Sequence, residues 1–495
     1  MKLNNKGAAI SGIIYSILLL FILLLFGVLA LLGSRKVVLD KLKYQILLEL
    51  NSGDDFYRNI KMDKSGASAP ILFDNMIPII YDYDNNVWIK ADNTNEYVQN
   101  WYDYDNKKWA NAVTVSEEKR QYYLDAAVGT EVKEADILTY LVWIPRYKYM
   151  IFNDATNIEL GTLTPSSIQT IDIVFESNTT PKSNGTIKGE YLTHPAFTFG
   201  DKELSGFWVG KFETTGTTTT PTVKPNITSL RNINVSTMFS TAQKFKTNIY
   251  GLINTDPHMM KNMEWGAVAY LSHSIYGIND DIRYNNSNTY ITGCAATNVP
   301  ATGYITPGYA GCENPYNTEI GYLASTTGNI TGIYDMAGGS WEYVMGVTED
   351  SPGSKVPTSG RNALYNSGFN GKYTCPTCDS QTDTSLTTGI KFPDSKYYDL
   401  YEYGTTYNNI EAYSRGKLGD ATKELGNFAL GLIDSDGSNR YVSSWYNDYS
   451  HFIYKNYPWF ERGGYWAHGA GAGIFMYYYN SISSDTHSFR LVVSE

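Results

Sequence analysis

The sequence predicts an α+β chain: an N-terminal transmembrane helix, a small β module, then a large loop-rich domain. Three observations carry this reading. Residues 8–33 hold no charged side chain. A phrase of aromatic and acidic residues occurs twice between Tyr81 and Trp109. From Tyr140 onward, short aromatic and β-branched runs alternate with Gly, Asn, Thr and Pro, without a long helical period.

Residues 1–7 read as a short cytoplasmic leader and 8–33 as a membrane anchor. At 1.5 Å rise, a run of this length exceeds the ~30 Å hydrocarbon core. It also outlasts the ~7–15 apolar residues of a removable secretory signal and continues into Ser34-Arg35-Lys36. Lys2 and Lys6 flank the near side; Arg35, Lys36, Lys41 and Lys43 flank the far side. A literal positive-inside count therefore puts the far side in the cytoplasm. Asn4-Asn5-Lys6-Gly7, followed at once by apolar residues, instead resembles a bacterial prepilin leader, cut after the glycine while the helix stays. The fifth residue after that cut is Gly12, where pilins usually carry Glu. This resemblance implies a single-pass membrane protein with its C-terminal domain extracellular. Apolar Val37, Val38, Leu42, Ile46, Leu47 and Leu50 prolong the helix as a stalk over 34–55, which Asn51-Ser52-Gly53-Asp54-Asp55 stops.

A small β module is expected over 56–138. Tyr81-Asp82-Tyr83-Asp84-Asn85-Asn86-Val87-Trp88 recurs as Tyr102-Asp103-Tyr104-Asp105-Asn106-Lys107-Lys108-Trp109. Each copy reads as a tight Asp-Asn turn between short strands. Asp-x-Asp-Asn is also a calcium-type spacing, but the loop lacks the Gly and distal Glu of an EF-hand. One short helix is expected over 116–127, ended by Gly129, and two more over 237–248 and 259–272.

Composition narrows function. With 39 basic and 50 acidic residues, a net charge of −11 and no Lys/Arg run, a nucleic-acid partner is excluded. Four cysteines are too few for a disulfide scaffold. Cys294 and Cys312, and the pair Cys375 and Cys378, suit one or two local disulfides; a zinc ribbon would need a second C-x-x-C. The 42 tyrosines and 10 tryptophans against 18% charged residues favour recognition, because Tyr gives large contact area at low entropy cost.

Four signatures then follow in order: Leu141-Val142-Trp143-Ile144-Pro145; Gly206-Phe207-Trp208-Val209-Gly210-Lys211-Phe212-Glu213; Met263-Glu264-Trp265-Gly266-Ala267; and Gly332 through Val344 with its Gly338-Gly339-Ser340-Trp341-Glu342 core. Arg462-Gly463-Gly464-Tyr465-Trp466 and Ser488-Phe489-Arg490-Leu491-Val492 close the chain. This order resembles the formylglycine-generating enzyme, or sulfatase-modifying factor, family over 139–495. The resemblance implies a C-type lectin-like fold. Glu264-Trp265 and Trp341-Glu342 read as core pairs, with Arg490 bound to Glu342 or Glu264.

The resemblance also implies a catalytic cysteine pair between the R-G-G and F-R signatures, and this chain has no cysteine from Arg462 to Arg490. The related sulfoxide synthases use a histidine-ligated iron, and the six histidines here form no such cluster in sequence. Family members carry structural calcium near G-N-x-W-E; Gly339 replaces the usual Asn, which leaves Glu342 as the candidate metal ligand. No other cofactor is implied, and no catalysis is expected. The aromatic C-terminal segment is the candidate ligand surface, with Trp445, Tyr446, Tyr449, His451, Trp459, Tyr465, Trp466, His468, Tyr477 and Tyr479 as its residues. Members of this fold include receptors whose variable surface precedes the final F-R motif. Some are diversified by retroelements, and the Asn, Tyr, Ser, His and Asp scatter over 445–487 resembles that. The sequence thus points to a non-catalytic, membrane-anchored cell-surface receptor or adhesin for an extracellular protein or glycan. The alternatives are a minor pilin-like filament subunit, for which Lys6-Gly7 is the motive, and a divergent oxidase of the same fold.

Overall fold

The computed structural model describes residues 63–93, 101–151, 170–298, 308–354, 367–369, 392–407, 414–424, 431–433, 439–441 and 448–495. Two sheets organise these residues. The first begins with Ile77–Asp82 (β1) and Val87–Lys90 (β2), joined by the first copy of the repeat. It continues through Asn111–Val115 (β3), Ile137–Pro145 (β4), Gly206–Gly210 (β5) and Asp256–Met259 (β6). The second holds Trp341–Thr348 (β7), Asp399–Tyr401 (β8), Trp459–Gly463 (β9), Gly473–Asn480 (β10) and His487–Phe489 (β11). Leu491–Ser494 (β12) returns to the first sheet, whose order is β6-β12-β5-β4-β3-β1-β2, antiparallel throughout. In the second, β8-β7-β9-β10 run in order, and β11 lies parallel to the start of β7.

Strands β4 and β5 are buried along nearly their whole length, which explains their unbroken Val, Ile, Leu, Phe and Trp content. Their register sets Trp208 opposite Trp143, ring centroids 5.2 Å apart. The short helices are Glu117–Asp125 (α1), Val235–Gln243 (α2) and Asn262–Ser272 (α3). Each lies within or near its expected span. Helix α3 starts three residues later than expected because Asp256–Met259 is drawn into the sheet beside β12. Glu264 then accepts the Lys261 N–H at 2.8 Å and closes the first turn. Every residue of α3 is buried, and a side chain at Gly266 would meet the Gly419 carbonyl at 1.9 Å. Glycine is required there by close approach, not by backbone angle.

Several expectations are corrected. The predicted α+β class gives way to a mostly β architecture with few helices. The predicted transmembrane helix and single-pass membrane localisation are corrected too: among the described residues no helix is long and apolar enough to cross a membrane. Helix α3 has 11 residues, where a span needs about 20. The spans 1–7, 8–33 and 34–55 on which those readings rested lie outside the described residues, as does the C-x-x-C pair. The expected boundary between 138 and 139 falls inside β4, which pairs with β3 from Asn111↔Val142 to Val115↔Ile137. Strands β1, β2 and β3 therefore share one sheet with β4, joined by antiparallel hydrogen bonds.

Candidate functional site

Two constellations of predicted residues emerge, one buried and one at the surface. The buried one centres on Arg490, the residue at which the chain leaves β11 and enters β12. Its Nε donates to Glu342 Oε2 at 2.9 Å, and its Nη2 donates to Glu342 Oε1 in a very short contact. Nη1 donates to the Gly210 carbonyl at 2.8 Å and Nη2 to the Tyr334 carbonyl at 2.9 Å. One guanidinium thus ties the end of β5, the loop before β7, and β7 itself. Glu213 accepts the Ser340 N–H at 2.9 Å, while Asp335 accepts from Asn285 Nδ2 at 2.8 Å and Gly293 N at 2.9 Å. Burial, together with the neighbouring Asp335 and Glu342 charges, pushes Glu213 well above the usual carboxylate range. Lys211 is held nearby by Asn111 Oδ1 at 2.9 Å and the Ile330 and Gly332 carbonyls at 2.5 and 2.8 Å; burial pushes its ammonium well down. Gly338 and Gly339 have φ of 75° and 70°, and a side chain at Gly339 would meet Glu213 Oε1 at 2.7 Å.

The structure places Glu342, the candidate calcium ligand, in this ion pair. Both of its oxygens accept from the Arg490 guanidinium, and its side chain has no exposure. Of the two carboxylates expected for Arg490, Glu342 is the partner. Glu264 faces His258 Nε2 instead, at 2.9 Å.

The surface constellation is built on the β9–β10 hairpin. Residues 448–453 lie along the free edge of β10: Phe475 N donates to Asp448 Oδ2 at 2.9 Å, and His451 N to the Tyr477 carbonyl at 2.8 Å. Tyr454 and Tyr457 then close a tight turn by exchanging backbone hydrogen bonds. Tyr478 and Tyr479 lie with ring centroids 4.4 Å apart, and His451 stacks on both at 5.3 and 5.6 Å. Tyr449 stacks on Tyr478 at 5.7 Å. On one side Tyr407 and Tyr457 continue the tier, 5.3 and 5.1 Å from Tyr479. On the other, Trp341 lies 5.4 Å from Tyr478 and 4.8 Å from His468, which meets Tyr465 edge-on at 4.4 Å. Tyr407 and Tyr457 are 42% and 38% exposed; Tyr449, Tyr465, Trp466, Tyr478 and Tyr479 are half-buried. Burial pushes His451 down to about 4, so its ring is neutral at physiological pH.

Of the sequence-predicted ligand residues, Tyr449, Tyr465, Trp466 and Tyr479 have exposed ring surface, while His451 and His468 are buried supports beneath it. Trp445 and Tyr446 lie outside the described residues. Trp459 and Tyr477 are both fully buried. Trp459 stacks on both Phe369 and Phe392 and donates Nε1 to Ser367 Oγ at 2.8 Å. Tyr477 points inward over Arg462, 5.7 Å from its guanidinium carbon. The first part of β10 is covered on both faces, whereas Tyr478, Tyr479 and Asn480 are half-buried. Sequence reasoning missed Trp341, Tyr407, Tyr457 and Tyr478 as members of the tier. Tyr457 and Tyr478 stood in the same aromatic run, whereas Trp341 and Tyr407 come from distant segments.

Beneath the tier, Glu461 on β9 meets His487 on β11 at 3.1 Å, and Asn480 Nδ2 donates to the other Glu461 oxygen at 3.1 Å. Burial raises Glu461 to about 8 and lowers His487 to about 4. Near neutral pH the pair is a protonated carboxyl beside a neutral imidazole. Cys294 and Cys312 form a disulfide. No family model matches this chain, and no curated protein matches it.

Proposed function

We propose that the chain is a non-catalytic recognition protein, of receptor or adhesin type, that holds its ligand on the aromatic tier around Tyr478 and Tyr479. The observation that carries this is a continuous run of rings in contact at the surface, drawn from three separate segments, with its one central imidazole kept neutral. Rings at an exposed surface offer apolar faces, and their hydroxyls add donors and acceptors at the rim. Such a tier suits a neutral, hydroxyl-bearing ligand, and a glycan fits that chemistry better than a charged peptide. The meeting of the signature residues at Arg490 supports reading 139–495 as a domain of sulfatase-modifying-factor type. The missing cysteines between Arg462 and Arg490 support a role without the thiol chemistry of the resembled enzymes.

The test is a glycan and protein array probed with the full chain and with Tyr457→Ala, Tyr465→Ala and Tyr479→Ala. Binding lost in these variants at unchanged melting temperature is expected. Unaltered binding in all three removes the tier as the site, and copper-dependent cysteine oxidation by the wild type removes the non-catalytic reading.

A further inference from the structure

The two copies of the repeat share a sequence but not a setting. In the first, Asp82 lies at an exposed hairpin and spends its oxygens on its own turn. Oδ1 accepts from Asp84 N at 3.0 Å and Asn85 N at 3.3 Å, and Oδ2 from Asn85 Nδ2 at 2.8 Å. The second copy closes a similar turn, Asp103 accepting from Asn106 N at 3.3 Å and Asn106 Nδ2 at 2.6 Å. There, however, a third carboxylate arrives from 40 residues upstream. Asp63, Asp103 and Asp105 each present an oxygen, all within 4.8 Å of one another.

Asp63 is the informative member. It is only 6% exposed, its Oδ1 accepts the Ser65 N–H at 2.9 Å, and its Oδ2 is fully enclosed without a hydrogen-bond partner. An enclosed carboxylate oxygen left unpaired is costly unless something positive meets it. Lys64 donates its backbone N–H to Asp105 Oδ2 at 3.0 Å, and Lys107 donates to the Ile278 carbonyl at 3.3 Å. The Lys108 ammonium interacts with Asp103. Burial raises Asp63 and Asp103 above the usual carboxylate range, and the Asp105 charge adds to both.

We infer that Asp63, Asp103 and Asp105 together bind a calcium ion. The donor set is oxygen alone, which selects a hard cation. Two ligands on one calcium, each about 2.4 Å away, can lie up to about 4.8 Å apart, whereas magnesium at about 2.1 Å demands a tighter cage. Asp105 is exposed and leaves that side open for entry and for water ligands. Calcium here would fix the segment before β1 against the turn before β3. The site is independent of the aromatic tier.

The test is calorimetric titration of the chelator-stripped full chain with calcium chloride, beside thermal melting in its presence. Dissociation constants of about 0.1–1 mM are typical of extracellular calcium modules. The expected result is a stoichiometry one ion lower per chain in Asp63→Asn and in Asp105→Asn, and unchanged in Asp82→Asn. Asp105 is exposed, so its variant keeps the fold if Asp63→Asn does not. Calcium uptake equal to wild type in Asp105→Asn overturns the inference, as does no uptake by the wild type or equal competition by magnesium.

Discussion

The Arg490 node and the Tyr478–Tyr479 tier are both assembled around the second sheet, yet they use their residues in opposite ways. At the node every polar atom of Arg490 and Glu342 is enclosed, and each group has a defined partner on another segment. At the tier the rings pack on one another and keep one side in solvent. Removing one member of the node strands a buried charge. Removing one ring of the tier mostly exposes its neighbour. The difference teaches where this chain keeps its stability and where it has surface left for contact.

The largest effect should follow Glu342→Ala, which leaves the Arg490 guanidinium buried without its anion. Breaking a buried pair in this way costs about 3–5 kcal/mol, to be read from chemical denaturation. A loss below ~1 kcal/mol would mean that the node is not the tie between the sheets. Next comes Cys294→Ser, which opens the disulfide to Cys312, 18 residues away. A loop of that size is worth about 3 kcal/mol by the chain-entropy account; an unchanged midpoint would place its constraint elsewhere.

A smaller, pH-dependent effect belongs to the Glu461–His487 pair under the tier. Glu461, raised to about 8, keeps a proton in the folded state that the unfolded chain releases near the ordinary carboxylate range. Its contribution therefore falls as pH rises towards 8. His487, lowered to about 4, stays neutral in the fold while the unfolded chain takes up a proton below about 6.5. Its contribution falls as pH drops. The two oppose each other between pH 4.5 and 6.5, and Glu461 acts alone above that. Stability should decline by up to ~1.4 kcal/mol per pH unit from pH 6.5 to 8 on this account. Glu461→Gln should flatten that slope in denaturation midpoints taken across the window; an identical slope would show that other groups set it. The smallest effect is expected for Tyr457→Ala, within about 0.5 kcal/mol of wild type as for other exposed positions. Destabilisation comparable to Glu342→Ala would erase the contrast between node and tier.

Much of the node was legible. Arg490 between two apolar strand residues, and Glu342 after Trp341, are buried-charge patterns that call for each other. Apolar spacing placed α1, α2 and α3 near their observed positions, because the helical period is a local property of the chain. The tier was only partly legible. Aromatic density marked the segment, but density does not say which ring faces outward. Trp459 and Tyr477 read like their neighbours and are core, since Phe369, Phe392 and Arg462 cover them from remote positions. Trp341 and Tyr407 belong to the tier and gave no local sign.

Taken alone, the sequence determined composition, the acidic and tyrosine-rich character, and the strands and helices whose residues carry a local period. Those properties depend on each side chain and its near neighbours. Tertiary structure decided that the two repeats differ, since Asp63 reaches only the second. It decided too that Glu342 belongs to Arg490 and that the sheet runs across the expected domain boundary. Each of these is a contact between residues far apart in the chain, and burial by a distant segment leaves no mark on the local sequence.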